Sequence, residues 1–336
     1  MLKSLYSGIS GMKVNQTKLD VIGNNIANVG TTAFKSSTTR FSDMLSQSIA
    51  DPMAASDKQG GTNAKQVGLG VQLASIATVM TQGTMQPTNR ALDIAVDGTG
   101  YFIVSKGPAV FDESISVDHT PGNHNITEQS GNSISYTRDG AFTLDEEGNL
   151  LTADGLRILG YSLSDGGVTE SIAADGSINF VDSTKDLEAT DGELKTLRIP
   201  EKVKLADGTE LRIKNYSIDK NGIINGVLED GRVTALGQIA MASFKNEEGL
   251  TKQGGNTYGS SVNSGEAVIK SGVGAIAAND NSKGYGDNIQ GMLEMSNVDL
   301  SEQFTEMIVA TRAFQASGKM ITTGDEILQD IINLKR

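Results

Sequence analysis

The sequence contains no cysteine and no tryptophan, and it has only five prolines and two histidines among 336 residues. Without cysteine the chain forms no disulfide bond, no thiolate metal site and no cysteine nucleophile. The sequence also lacks any stretch near the ~18 consecutive apolar residues of a membrane-spanning helix, and its start lacks the apolar run of a secretory signal. We therefore expect neither membrane insertion nor a cleaved signal peptide.

Positive charge is also scarce, since 28 basic residues face 41 acidic ones and the net charge is −13. A surface of this sign repels phosphate backbones and anionic lipids, so we expect no nucleic-acid partner. Glycine, by contrast, is abundant at 39 residues. Many glycines with few prolines are typical of short strands joined by tight turns.

Both ends of the sequence carry the apolar spacing of a long amphipathic helix. Positions alternately three and four residues apart are mostly apolar from 2 to 26 and again from 300 to 332. Asp299, with Glu302 three residues later, predicts the N-cap of the second helix. We predict that the apolar members of this stripe mediate subunit assembly: Leu2, Leu5, Ile9, Met12, Leu19, Ile26, Leu300, Phe304, Met307, Phe314, Ile321, Leu328 and Ile332.

Glycines interrupt both predicted helices, and each costs about 1 kcal/mol relative to alanine. They lie at positions 8, 11, 23 and 318. We therefore expect the helices to be ordered by pairing with each other and with neighbouring copies. The spacing alone leaves an ordinary intramolecular coiled coil, without assembly, as an equal alternative.

Between the helices the apolar period changes to two, with Asn-Gly and Asp-Gly turns, which predicts β-hairpins. We predict a mixed α and β fold, in which long N- and C-terminal helices pair as a coiled coil and flank a central all-β region with one main domain and a small inserted subdomain. The predicted boundaries are 1–35 and 290–336 for the helical coiled-coil domain, 36–71 for a linker region, 72–159 and 213–289 for the main β domain, and 160–212 for the small outer β subdomain.

No motif predicts a catalytic residue, a cofactor site or a metal site. The sequence has no complete dinucleotide loop, phosphate loop or nucleophile elbow. Residues 219–222 come nearest to a calcium loop, but Glu229 is one position short of the required ligand, which favours a plain hairpin turn. His119 and His124 are five residues apart in a predicted loop, where exposed histidines are a better interpretation than a zinc site.

Four strings then resemble one family, the rod and hook proteins of the bacterial flagellum. Residues 19–35 are similar to its N-terminal signature, 91–102 to an early strand-turn-strand segment, 136–142 to a Tyr-Thr-Arg-Asp-Gly hairpin, and 296–302 to the start of its C-terminal helix. The matching motif residues are Asn24, Asn25, Asn28, Phe34, Asp93, Gly98, Gly100, Arg138, Asp139, Gly140, Asn297 and Asp299.

Within this family the strings at 233–240 and 297–301 resemble hook subunits, as does an insertion near 160–212, because the rod proteins are typically shorter. The resemblance implies a non-enzymatic subunit of a flexible helical tube that transmits torque from rod to filament. As partners it implies further copies of the same chain, the distal rod protein, the hook cap and the hook–filament junction proteins. It also implies export by the flagellar type III apparatus to an extracellular position. A distal rod protein is the first alternative, and a secreted β-domain adhesin on a coiled-coil stalk is the second.

Overall fold

The computed structural model describes residues 2–54, 60–108, 115–118, 124–126, 133–166, 170–173, 176–205, 207–275 and 280–334. The chain divides into two compact units. We call the first the terminal unit, which comprises Met1–Gly30, Lys35–Val79 and Val298–Arg336. The second is the β unit, which comprises Thr31–Phe34 and Met80–Asn297.

The terminal unit contains two long helices, α1 (Leu2–Ala27) and α2 (Leu300–Leu334). Their bounds lie within two residues of the predicted ones, because apolar periodicity over so many turns favours only a helix. The two helices lie in contact and antiparallel, with Lys18 of α1 beside Glu306 of α2. Coiled-coil geometry of this pair stays a prediction. Neither described helix is both long and apolar enough to cross a membrane.

The same unit contains four strands, three of which lie in the region predicted as a linker. They are β1 (Ser37–Asp43), β2 (Ser46–Ala50), β3 (Lys65–Gly68) and β4 (Val71–Thr78), where β1 pairs with β4 and β2 with β3, both antiparallel. The linker interpretation of 36–71 therefore differs from the structure. Strands β1, β2 and β3 are rich in polar residues, so no apolar alternation marks them, and their ladders depend on partners outside the strand itself.

The β unit is built from short antiparallel strands. They are β5 (Met85–Pro87), β6 (Ile94–Asp97), β7 (Tyr101–Lys106), β8 (Ile115–Asp118), β9 (Asn125–Ile126), β10 (Ser133–Thr137), β11 (Thr143–Leu144), β12 (Leu150–Leu151), β13 (Arg157–Ser164), β14 (Glu188–Thr196), β15 (Lys202–Lys204), β16 (Glu210–Ile218), β17 (Ile223–Leu228), β18 (Val233–Ile239), β19 (Met241–Ser243), β20 (Thr251–Gly254), β21 (Thr257–Gly259), β22 (Val268–Ile269), β23 (Asp287–Gln290) and β24 (Met292–Glu294).

One large sheet system connects most of these strands, in the order β15-β16-β17-β18-β13-β14-β8-β9-β22-β19-β7-β10-β21-β20. Strand β7 lies between two apolar cores. Phe102 and Val104 pack into one core, whereas Tyr101 and Ile103 pack into the other. Because alternate side chains of a strand point to opposite faces, both faces of β7 are buried, which explains its continuous apolar run.

Residues 160–212 share this architecture rather than forming a separate outer subdomain. Strand β13 pairs with β7, β14 and β18. Ile172, Ile178 and Leu197 belong to the same buried cluster as Phe102 and Phe142. The prediction of an inserted subdomain therefore differs from the structure, because the apolar partners of this segment lie on strands before and after it in the chain.

Two smaller predictions have different outcomes. The turn at 219–222 joins β16 to β17 as predicted, with Gly222 at φ 81° and its N–H donating to the Asp219 carbonyl at 2.8 Å. His119 lies outside the described residues. His124, which directly precedes β9, is buried rather than exposed, and its carbonyl accepts a hydrogen bond from the N–H of Ile269 at 2.9 Å.

Candidate subunit-assembly surface

The helices α1 and α2 approach each other through small residues. A Cβ atom on Gly8 would lie 3.2 Å from Ile321, and one on Gly324 would lie 3.0 Å from Leu5. A Cβ atom on Gly11 would lie 3.1 Å from the Ser317 hydroxyl. Two of the four glycines predicted to weaken the isolated helices, Gly8 and Gly11, are therefore points of close contact between them, where a larger side chain would push the helices apart. Gly23 has no neighbouring atom within 4 Å of an added Cβ atom.

Polar side chains continue this contact at the other end of the pair. Lys18 forms an ion pair with Glu306 at 3.4 Å. Asn25 donates a hydrogen bond to the Gln303 side chain at 3.0 Å, and both of these residues are buried. At the end of α1, the Asn28 amide donates to the Asn24 side chain at 2.7 Å and so closes the last turn.

Asp299 is the N-cap of α2, as predicted. Its carboxylate accepts hydrogen bonds from the N–H groups of Ser301 at 2.8 Å and Glu302 at 3.3 Å. These bonds satisfy two donors that the first helical turn leaves without a partner.

We expect Asp299→Ala to destabilise the start of α2 by about 1 kcal/mol, because the N-cap hydrogen bonds are lost. Hydrogen exchange of the first two turns of α2 measures the effect, and Asp299→Ser should restore most of the protection. Asp330→Ala, which removes an exposed aspartate from the body of the same helix, is the matched control and should not accelerate exchange. Equal acceleration by both substitutions would contradict the role of Asp299.

The outer surface of the helix pair is apolar to an unusual degree. Between Met320 and Ile327 of α2 and Ser4 of α1 lies a shallow groove of about 390 Å³. Exposed apolar patches of this kind mark interaction surfaces. We call the following side chains the apolar outer face: Tyr6, Ile9, Leu300, Phe304, Ile308, Val309, Phe314, Met320, Ile327, Ile331, Ile332 and Leu334.

The predicted stripe divides between this outer face and the contact between the helices. The side chains of Leu5, Met12, Leu19, Ile26, Met307, Ile321 and Leu328 are half-buried, whereas those of Ile9, Leu300, Phe304, Phe314 and Ile332 are exposed. The Leu2 side chain is outside the described part of the structure. Sequence reasoning missed Val14, Ile22 and Ala310, which are buried. That the stripe mediates assembly stays a prediction.

The strands of the terminal unit and the connections between them also carry exposed apolar side chains. Leu45 is 84% exposed, and Ile49 and Met53 are each 68% exposed. Phe41 and Ile76, on the paired strands β1 and β4, are also exposed. Apolar surface available for association therefore extends from the helices to the strands of the same unit.

The family-motif residues of the β unit surround one buried arginine. The Arg138 Nε atom donates to the Gly100 carbonyl at 3.0 Å, and its guanidinium also donates to the Gly98 carbonyl and lies 3.4 Å from the Glu294 carboxylate. Gly98 and Gly100 have φ angles of 122° and 138°, which suit only glycine. Arg138 therefore joins the strand-turn-strand segment to β24.

The other motif residues also hold backbone in place. A Cβ atom on Gly140 would lie 1.6 Å from the Ile94 carbonyl oxygen, so only glycine fits there. The Asp93 carbonyl accepts from the N–H of Gly291 at 2.7 Å. The Phe34 carbonyl accepts from the N–H of Asn297 at 3.3 Å, which joins the ends of the two terminal signatures.

Several side chains of the β unit have pKa values shifted from their ordinary values, and burial is the main cause of each shift described here. Burial raises the pKa of Tyr101 far above its ordinary value, and it raises the pKa of Tyr258 to about 12. Burial likewise raises the pKa of Asp139, whose carboxylate accepts from the N–H of Ala141 at 3.2 Å. In the part of the chain that the structure describes, no group of three or more histidine or acidic side chains could hold a metal ion.

Three sequence families match successive parts of this chain. Residues 5–35 match the family described as "Flagella basal body rod protein". Residues 122–226 match "Flagellar hook protein FlgE/F/G D1 domain", and residues 289–334 match "Flagellar basal body rod FlgEFG protein C-terminal". The first and last matches cover most of α1 and α2, and the middle one covers part of the β unit.

Whole relatives align over the full length of the chain. The flagellar basal-body rod protein FlgG of Bacillus subtilis is 40% identical over 336 residues, with 100% of both chains covered. The flagellar hook protein FlgE of Borreliella burgdorferi is 32% identical over an alignment of 473 residues, and the rod protein FlgG of the same organism is 28% identical over 340 residues, again with 100% of each chain covered.

The chain therefore combines two long helices that expose apolar side chains with a unit of short antiparallel strands, an architecture that suits a structural subunit. With these relatives, the chain belongs to the family of flagellar rod and hook proteins, the structural subunits of the bacterial flagellar axis. The resemblance found in the four sequence strings is thereby confirmed. Such subunits polymerise into the axial structure of the flagellum.

Proposed function

We propose that this protein is the subunit of the flagellar hook, the flexible tube that transmits torque from rod to filament. The supporting observation is a comparison within one organism. Borreliella burgdorferi has both a hook protein and a rod protein, and the hook protein shares more identity with this chain, at 32% against 28%. Because both relatives come from the same organism, divergence between species does not contribute to the difference between the two sequence identities.

A distal rod protein is the second candidate. The rod protein of Bacillus subtilis shares 40% identity in an alignment no longer than this chain, whereas the alignment with the Borreliella hook protein extends to 473 residues. The adhesin alternative has no support of this kind, because membership of the axial family accounts for both terminal signatures.

The apolar outer face supports a role in a polymer. Each fully buried large apolar side chain stabilises an interface by about 1.5–3 kcal/mol, so the exposed side chains of α1 and α2 give a large driving force for association. Repetition of one heterologous contact along an axis builds an open helical filament. In this proposal the helices line the central channel, the β units form the outer wall, and the subunit catalyses no reaction.

The proposal extends to partners and location. The hook subunit would be exported unfolded by the flagellar type III apparatus, without a cleaved signal, and would add at the tip beneath the hook cap. It would contact the distal rod protein at one end of the tube and the hook–filament junction proteins at the other. The mature protein would therefore lie outside the cell.

Electron microscopy of polymers grown from the full-length protein tests the proposal. A hook subunit should form curved, flexible tubes, because its outer contacts must change as the tube rotates. Straight, stiff tubes would favour the rod candidate instead. Absence of any tube at high protein concentration and high salt, with the β unit folded, would contradict both candidates.

A further inference from the structure

Asn25 makes hydrogen bonds to two elements besides its own helix. It lies near the end of α1 and is only 1% exposed. Its side-chain amide donates to the Ser37 carbonyl at 2.9 Å and to the Gln303 side chain at 3.0 Å, and its side-chain oxygen accepts from the N–H of Ser37 at 3.0 Å. One buried side chain therefore connects α1, the start of β1 and α2.

Apart from the part-exposed Lys18–Glu306 ion pair, which contributes at most about 1 kcal/mol, the remaining contacts between the helices do not define a unique alignment. The buried or closely contacted positions of α2 that face α1 repeat every seven residues, and apart from Gln303 they are small: Gln303, Ala310, Ser317 and Gly324. The apolar positions between them also repeat every seven residues: Met307, Phe314, Ile321 and Leu328. A slide of α2 by one heptad, roughly 10 Å, would again place small residues against α1 and apolar residues beside them.

Such a slide removes one of the two acceptors of the Asn25 amide, the Gln303 side chain, and leaves the hydrogen bonds to Ser37 in place. With α2 moved by seven residues, Asn25 would face Ala310, whose methyl group accepts no hydrogen bond. A buried amide donor without an acceptor is strongly disfavoured, whereas the apolar contacts would change little. Among the four positions of α2 that face α1, only Gln303 has a long side chain that accepts a hydrogen bond.

We propose that the Asn25–Gln303 hydrogen bond selects the register of the two terminal helices. A buried polar pair that fixes helix alignment is an established use of such residues in coiled coils. The register decides which side chains of α1 lie beside the exposed side chains of α2, and hence the shape of the apolar outer face. The inference holds for a hook subunit and for a rod subunit alike.

Engineered disulfides in the full-length protein report the register directly, because the chain has no native cysteine. A Cβ atom on Gly11 lies 3.8 Å from the Cβ atom of Ser317, which is a typical separation for a disulfide. The pair Gly11→Cys and Ser317→Cys therefore reports the observed register. The pair Lys18→Cys and Ser317→Cys reports the register shifted by one heptad, since position 18 follows position 11 by seven residues.

Both pairs are compared under a thiol–disulfide redox buffer in the parent chain and in three variants. Gln303→Met keeps the volume and removes the acceptor, Gln303→Glu keeps an acceptor, and Gln315→Met changes an exposed glutamine of α2 as the control. Electrophoresis without reductant separates disulfides within one chain from those between chains, and circular dichroism monitors the helical content.

In the parent chain we expect only the Gly11–Ser317 pair to form within one chain. In Gln303→Met, the ratio of shifted to observed disulfide should rise about tenfold or more. Gln303→Glu and Gln315→Met should keep the parent pattern. The proposal fails if Gln303→Met retains the observed register alone, and it also fails if both disulfides decline together, because Gln303 would then strengthen the pairing without selecting its alignment.

Discussion

A chain truncated after Asp299 should remain folded and soluble but should form no tubes. The truncation removes all of α2 and with it most of the apolar outer face. The three apolar clusters of the β unit do not depend on α2, because their buried members lie between Leu92 and Ile269. Sedimentation of polymers measures the loss, and tyrosine fluorescence measures the fold of the β unit, since six of the seven tyrosines lie there.

Point variants separate the loss of apolar surface from the loss of the helix. Phe304→Glu and Ile331→Glu each change one exposed apolar side chain of α2. Each should raise the critical concentration for polymerisation at least about tenfold, because burial of such a side chain contributes about 1.5–3 kcal/mol. Thr322→Glu, at an exposed polar position of α2, is the matched control. Normal tubes from the truncated chain, or equal effects of all three point variants, would refute the assembly role of this face.

The second large effect is expected in the β unit, where Arg138→Met should lower the free energy of unfolding by about 3–5 kcal/mol. The substitution removes the Arg138 guanidinium from beside the Glu294 carboxylate, whose side chain is 0% exposed. The N–H of Gly83 also donates to that carboxylate, at 2.9 Å, and this bond does not depend on Arg138. The carbonyls of Gly98 and Gly100 would lose their donors as well.

Urea unfolding followed by tyrosine fluorescence measures this loss. Lys202→Met is the control, because it breaks an exposed ion pair with Glu210 at 3.2 Å and should change stability by about 0–1 kcal/mol. Arg138→Met combined with Glu294→Gln should recover part of the loss, since the buried negative charge that faced Arg138 is then removed as well. A loss no larger than that of Lys202→Met would show that the buried pair does not stabilise the β unit.

Local patterns predicted the helices and the turns well. The apolar period from 2 to 26 and from 300 to 332 predicted α1 and α2 to within two residues, and Asp299 was correctly predicted as the N-cap. The turn at Gly222 was also predicted, because a residue with positive φ between two strands favours glycine. All of these features depend on residues close together in the chain.

Features that depend on distant residues were predicted less well. Residues 160–212 looked like an insertion, but Ile172 and Leu197 pack in the core of the whole β unit. Residues 36–71 looked like a linker, but they contain strands whose partners lie elsewhere in the same stretch or beyond it. Neither the core packing of 160–212 nor the strand pairing of 36–71 leaves a local signal in the sequence. The pairing of polar strands depends on their register, which composition does not show.

The sequence by itself determined that this protein has two long terminal helices, a glycine-rich β region between them and the signatures of a flagellar axial subunit. The tertiary structure decided what the unusual residues do. Gly8 and Gly11 allow close contact between helices, Asn25 reaches Gln303, and Arg138 reaches Glu294. The residues next to a side chain in the sequence indicate whether it lies in a helix or a strand. Hydrogen bonds between residues 278 or 156 positions apart, by contrast, form only when the chain folds.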